Sequence, residues 1–123
     1  MSRPIGALYH VPHGLSNAVL FPAVTEFSIQ GAVKRYAAIA RTMGFAGEGD
    51  SDEAAGSGLV RGLRELNEKL EIPSLGECVK VGRTAFDERV EKMASDGLAS
   101  GSPDNNPVVP DVKQIVELYH KAW

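Results

Sequence analysis

The sequence predicts an all-α protein, a helical bundle in which residues 1–123 form a single domain. Apolar residues recur at spacings of three and four in five segments, as on the buried face of a helix. Stretches rich in glycine, proline and small polar residues separate these segments. No strand followed by a Gly-rich phosphate loop is present, so the sequence alone does not indicate a parallel sheet that binds a nucleotide.

The first predicted helix covers about residues 14–27 and is one of the most apolar segments of the chain. Its apolar residues occupy nearly every face, so we expect it to lie at the centre of the bundle. Pro22 removes one backbone hydrogen bond from this helix and is expected to bend it.

The second predicted helix covers about residues 31–43, and Gly44 is placed to end it. A loop follows, and Ser51 is the expected N-cap of a third helix that ends near Leu70. Three glycines weaken the third helix by about 1 kcal/mol each relative to alanine. They would also permit close packing of another helix: Gly56, Gly58 and Gly62.

The fourth predicted helix covers about residues 84–100, after a break at residues 72–76 and a run too short to predict a strand. Residues 101–110 form a second loop. The last helix is expected to begin near Pro110, because proline is favoured in the first turn. Its apolar stripe is formed by Val112, Ile115, Val116, Tyr119 and Trp123.

Composition excludes several classes of function. A net charge of −3 gives no basic surface for nucleic acid or an anionic membrane. The longest apolar run, residues 18–24, is too short to span a bilayer. Cys78 is the only cysteine, so no disulfide can form within the chain, which fits a reducing cytosol. No secretory signal is visible, and a cytoplasmic location is expected.

The side chains that could carry chemistry are few. His10 and His13 precede the first helix, and neutral imidazoles suit divalent first-row metals. Two histidines cannot form a closed site, so their spacing alone favours a structural role over metal binding. His120 is interpreted as a solvated surface residue. Cys78 is expected to lie in a loop with no evident base, and Ser16 follows His13 at a spacing that indicates a catalytic pair only weakly.

A family resemblance adds to this interpretation. Residues 4–9 read Pro-Ile-Gly-Ala-Leu-Tyr, and residues 12–18 read Pro-His-Gly-Leu-Ser-Asn-Ala. Together with the apolar helix and Pro22 that follow, they resemble the characteristic motif of the iron-containing (group III) alcohol dehydrogenases. Residues 94–107 and 115–123 resemble the late helix, Asn-Pro turn and C-terminal helix of that family. The resemblance implies the helical C-terminal domain of the dehydroquinate synthase-like fold.

The resemblance also implies a chemistry, the NAD(P)-linked interconversion of an alcohol and an aldehyde or ketone. Family members hold Fe²⁺ or Zn²⁺ with one aspartate and three histidines, and His13 matches the last of these histidines. Arg3 stands where many members have a proton-relay histidine, and arginine is a poor acid–base group. Met1 matches an internal methionine of the family motif. The other metal ligands and the NAD(P)-binding domain are therefore expected upstream of Met1, and no catalytic or cofactor-binding residue is assigned here.

These implications leave several functions open. The chain is expected to be a part of an iron-dependent alcohol dehydrogenase that is inactive alone and binds neither metal nor NAD(P) tightly. Alternatively, it is a free-standing helical interaction domain that has lost catalysis, or a relative of the maleylacetate reductases. A separately encoded nucleotide-binding subunit could complete the site. Apolar surface near residues 1–27 is expected to favour self-association.

Overall fold

The computed structural model describes residues 1–123 and contains seven α-helices and no strand. Single turns of 3₁₀ helix follow the second and sixth α-helices. The predicted all-α fold class is therefore confirmed. The helices are α1 (Ser2–Tyr9), α2 (His13–Ser28), α3 (Val33–Thr42), α4 (Asp52–Lys69), α5 (Leu75–Val79), α6 (Arg83–Ala99) and α7 (Val112–Lys121).

The five predicted helices correspond to α2, α3, α4, α6 and α7, and the sequence reasoning missed α1 and α5. Helix α1 is eight residues long, and it contains Pro4 and Gly6, which are unfavourable in the interior of a helix and so weaken its helical signal in the sequence. Pro4 is tolerated because the first turn of a helix needs no N–H partner. Helix α5 has only five residues, and a capping box between Ser74 and Glu77 begins it.

Helix α2 packs against α1, α4, α5 and α7, which confirms its expected central place. The larger core cluster lies around it and draws on α1, α5, α6 and α7. The largest of its fully buried side chains are Tyr119, Phe86, Ile5, Leu75, Met93 and Ile115. Burial of these apolar side chains supplies the main stabilising term of the fold.

A second, smaller core cluster joins α3 to α4 through Ala37, Ala40, Ala55, Leu59 and Leu63. The small residues let the two helices approach closely, as the glycines of α4 had suggested. A Cβ at Gly58 would overlap the carbonyl oxygen of Phe45, and one at Gly62 would overlap the Phe45 ring. Glycine at these two positions is therefore required by packing.

The helix ends agree with the sequence at two places and differ at one. Gly44 follows α3 with a φ of 74°, and the Ser51 hydroxyl accepts a hydrogen bond from Ala54 N at the start of α4. The expectation that α7 begins near Pro110 is wrong by two residues. Asp111 is the N-cap, because it forms a capping box with Gln114.

The C-terminal residue closes one end of the bundle. The indole of Trp123 lies 4.6 Å from the Phe86 ring, measured between ring centroids. A Cβ at Gly76 would come within 2.9 Å of that indole, so α5 is in close contact with it. Leu75 N also donates a hydrogen bond to Ala122 O at 2.8 Å. None of the helices has the length and apolar character needed to cross a bilayer.

Candidate metal site

His13 is the first residue of α2, and its side chain is exposed. The turn that precedes it is fixed by the backbone. His10 ends α1 with a φ of 55°, and its N–H donates to Gly6 O at 3.0 Å. Val11 is buried beneath the turn. His13 is thus held at the end of a central helix while its imidazole remains accessible.

An open cleft of about 470 Å³ contains the His13 side chain. Arg3 of α1 lies on the same cleft, and α6 with the loop after it forms another wall. The polar residues of that wall are Asp96, Ser100 and Ser102. Helix ends from three parts of the chain therefore surround His13.

Two groups in this cleft lack a partner in the protein. Neither Arg3 nor His13 takes part in an ion pair or a side-chain hydrogen bond, whereas Asp96 accepts from Lys92 Nζ at 2.8 and 3.0 Å. No group of three or more His, Cys, Asp or Glu side chains is arranged to hold a metal ion. The cleft thus offers one free imidazole beside one free guanidinium.

An apolar cavity of about 410 Å³ adjoins the cleft, and Met1, Ser2 and Ser102 line both. Helices α2 and α7 supply its apolar walls. The largest of these side chains are Leu20, Phe21, Val24, Phe27, Ile115 and Leu118. A polar cleft that continues into an apolar cavity can take a small molecule with one polar end and one apolar end.

Met1, one of the three residues that line both cleft and cavity, is anchored to α7. The hydroxyl of Tyr119 donates a hydrogen bond to Met1 O at 2.7 Å. Burial raises the pKa of Tyr119, so this group remains a neutral donor. The start of α1 therefore has a fixed position beside His13.

The remaining candidates lie elsewhere. Cys78 is in α5 rather than in a loop, and burial, together with Glu77, raises its pKa, which leaves a poorly nucleophilic thiol. The Ser16 hydroxyl donates to Pro12 O at 3.2 Å, so it is not paired with His13. His120 is only partly exposed, and its Nε2 lies 3.0 Å from Asp87 Oδ1, so it links α7 to α6.

Sequence reasoning missed the part of the cleft that α6 and the following loop supply. Asp96 and Ser102 lie more than eighty positions from His13, and no motif spacing connects them with it. Because α1 was not predicted, the position of Arg3 on the same cleft was not predicted either.

The helical fold matches the C-terminal domain of one protein family. The family model described as "Fe-containing alcohol dehydrogenase family, C-terminal" matches residues 1–123. The chain therefore belongs to the Fe-containing alcohol dehydrogenase family and corresponds to its C-terminal domain.

Individual relatives agree with this assignment. The chain is 36% identical to the lactaldehyde reductase of Escherichia coli strain K12 over 123 residues, which is 100% of this chain and 31% of that protein. It is 38% identical to an alcohol dehydrogenase of Thermococcus barophilus over 121 residues, which is 95% of this chain and 29% of that protein. The chain thus spans about three tenths of the length of the curated relatives it matches.

Solved structures show the same domain. A crystal structure of a 1,3-propanediol oxidoreductase matches with a TM-score of 0.89 at 27% identity, covering 99% of this chain and 31% of that one. The iron-containing alcohol dehydrogenase from Thermococcus thioreducens matches with a TM-score of 0.80 at 38% identity, covering 98% of this chain and 30% of that one.

Proposed function

We propose that this chain forms the C-terminal part of an iron-dependent alcohol dehydrogenase and that His13 supplies one ligand to its metal. One observation carries the proposal. The His13 imidazole is exposed at the end of a rigid central helix and faces a cleft that adjoins an apolar cavity. It has no partner within the protein. A metal ligand needs this combination of a fixed backbone and a free nitrogen.

The residues of the cleft fit one corner of a metal site but not a complete site. His13 is the one histidine that lines the cleft, and the Asp96 carboxylate is paired with Lys92. A divalent metal usually needs three or four protein ligands. We therefore expect the chain alone to bind neither Fe²⁺ nor Zn²⁺ tightly, and to be inactive. The other ligands and NAD(P) would come from a preceding segment or from a separate subunit.

When bound, the metal would polarise the alcohol or carbonyl oxygen of the substrate as a Lewis acid. The chain's own residues have other roles in this proposal. The apolar cavity accepts the alkyl part of the substrate and excludes water from it. Arg3 keeps a positive charge beside the site but does not relay protons, because a guanidinium stays protonated. A proton would therefore travel through water or through a group outside this chain.

A chimera tests the proposal. The matching C-terminal segment of E. coli lactaldehyde reductase would be replaced by this chain, and metal content and lactaldehyde reduction would be measured. The chimera is expected to retain metal and activity. The substitution His13→Asn is expected to remove the metal and to lower activity by about 100-fold or more, because loss of a direct ligand exceeds the usual effect of a supporting residue.

His10→Asn is the matched control, because it removes a histidine only three residues away, and asparagine tolerates the left-handed conformation at that position. It is expected to leave metal and activity in place. Metal that remains after His13→Asn, or equal losses in both variants, would contradict the proposal. Titration of the chain alone with Fe²⁺ or Zn²⁺ is expected to give no tight binding.

The second candidate function is a helical interaction domain without catalysis. The observation in its favour is exposed apolar surface at the N-terminal end, where Phe21 is 55% and Leu8 39% exposed. An active chimera that depends on His13 would contradict this alternative. An inactive, well-folded chimera together with self-association of the chain would support it. No feature of the cleft favours a maleylacetate reductase-like activity over alcohol oxidation.

A further inference from the structure

Pro22 leaves one backbone carbonyl of α2 without its usual donor. In an α-helix the N–H of residue 22 would donate to the carbonyl of Ala18, but proline has no N–H. Ala18 is half-buried beside α4, so water reaches its carbonyl poorly. An unpaired carbonyl in such a place would destabilise the helix and let it flex.

Asn67 of α4 supplies the missing donor. Its Nδ2 donates a hydrogen bond to Ala18 O at 2.9 Å across 49 positions of sequence. Asparagine side chains have two N–H donors and can serve a carbonyl on another helix in this way. The contact falls four residues before Pro22, at the carbonyl that the proline leaves free.

The backbone of Asn67 is itself fixed. Its carbonyl accepts from Ile72 N at 2.9 Å, and Glu71 adopts a left-handed φ of 53° to close the end of α4. This pattern is the usual hydrogen-bonded end of a helix. The Asn67 donor is therefore carried by a rigid part of α4.

We propose that Asn67 is a positioning residue, which fixes the direction of the N-terminal half of α2 and thereby the place of His13. The inference rests on the proposed role of His13. His13 lies five residues before Ala18, about 7.5 Å along the helix, so a change in direction of about 10° moves it by about 1 Å. A displacement of that size is enough to impair a metal ligand, whose distances are set within about 0.2 Å.

Two substitutions and their combination test this inference on the whole chain. Asn67→Asp keeps the shape but removes the donor, whereas Pro22→Ala restores an N–H to α2. Asn67→Asp is expected to lower the Tm by about 5 °C. In the Pro22→Ala background the same substitution is expected to lower it by less than about 2 °C, because the restored N–H then serves the Ala18 carbonyl.

A second measurement separates positioning from general stability. Residual dipolar couplings of backbone amides report the direction of residues 14–21 relative to residues 23–28. Asn67→Asp is expected to rotate the first group by about 10° or more while α6 and α7 keep their directions. Unchanged couplings would overturn the positioning role even if the Tm falls. Equal Tm losses in the parent and in the Pro22→Ala background would overturn the carbonyl explanation.

Neither measurement involves metal. A negative result in either one would therefore not contradict the ligand role of His13, and an inactive chimera would not contradict the positioning role of Asn67. If the Asn67→Asp protein does not fold, the same test is made by comparing the Pro22→Ala protein with the double variant that carries Pro22→Ala and Asn67→Ala. The two are expected to differ in Tm by less than about 2 °C. A larger difference would overturn the inference.

Discussion

The hydroxyl of Tyr119 is the buried polar group that most directly supports the candidate site. Its side chain is fully buried, and its ring meets Phe86 edge to face at 6.2 Å between centroids. Its hydrogen bond to Met1 O holds one of the residues that line both cleft and cavity. A buried hydroxyl without such a partner would destabilise the fold by about 1–3 kcal/mol. The same contact therefore serves stability and the shape of the site.

Because burial raises the Tyr119 pKa, stability is expected to depend on pH above the ordinary value of about 10. There the unfolded chain loses the phenolic proton while the folded chain keeps it, so the free energy of unfolding falls as pH rises. Thermal unfolding between about pH 8 and pH 11 measures this effect. Tyr119→Phe is expected to lower the free energy of unfolding by about 1 kcal/mol at pH 8. In this variant the free energy of unfolding should fall less steeply as the pH rises. Parallel pH profiles would contradict the assignment.

At the scale of elements, three helices end in residues that are not suited to their backbone conformation. His10, Glu71 and Lys80 follow α1, α4 and α5 with φ values of 55°, 53° and 55°. Helices α3 and α6 use glycine for this purpose, at Gly44 and Gly101. The left-handed conformation costs a residue with a Cβ about 1 kcal/mol more than glycine. The ends of α1, α4 and α5 are therefore places where stability can be gained.

Glu71→Gly is expected to raise the free energy of unfolding by about 0.5–1 kcal/mol, because the relieved strain exceeds the added flexibility of the unfolded chain. Denaturation by urea would measure the change. Glu68→Gly is the matched control, since it removes an exposed glutamate from the last turn of the same helix. It is expected to lower the free energy of unfolding by about 1 kcal/mol. A Glu71→Gly protein no more stable than the parent would show that strain there is negligible.

The elements also show what the sequence could and could not reveal. Helix α7 was predicted because burial of one face determines its apolar periodicity, and α2 was predicted because it is apolar on nearly every face. Helices α1 and α5 were missed because they are shorter than the pattern needed to recognise them. His13 was found through a motif, while Asp96 and Asn67 reach the site or its helix only through tertiary packing. Contacts between distant positions leave no trace in the spacing of a single sequence.

At the scale of the whole molecule, exposed apolar side chains are expected to drive self-association. Phe21 lies on α2 with 55% of its surface exposed, beside the apolar cavity. A net charge of −3 is too small to oppose association strongly. We therefore expect the isolated chain to form dimers or larger species through the surface near residues 1–27.

Sedimentation velocity at several protein concentrations would test this expectation. Phe21→Ser is expected to shift the distribution toward monomer, since it removes the most exposed aromatic side chain of that surface. Leu70→Ser is the matched control, because Leu70 is 61% exposed but lies outside residues 1–27. A parent chain that stays monomeric at all concentrations would refute the expectation, as would equal effects of the two substitutions.

The bond between Tyr119 and Met1 also has a consequence for the order of folding. It joins positions 118 residues apart, whereas the α3–α4 pair and its small core cluster connect neighbours in sequence. Closing a long loop costs more chain entropy than closing a short one, and nonlocal contacts slow folding. We expect the α3–α4 hairpin to form early and the cleft around His13 to form last. During synthesis, α1 must wait for α7 to leave the ribosome before it reaches its final place.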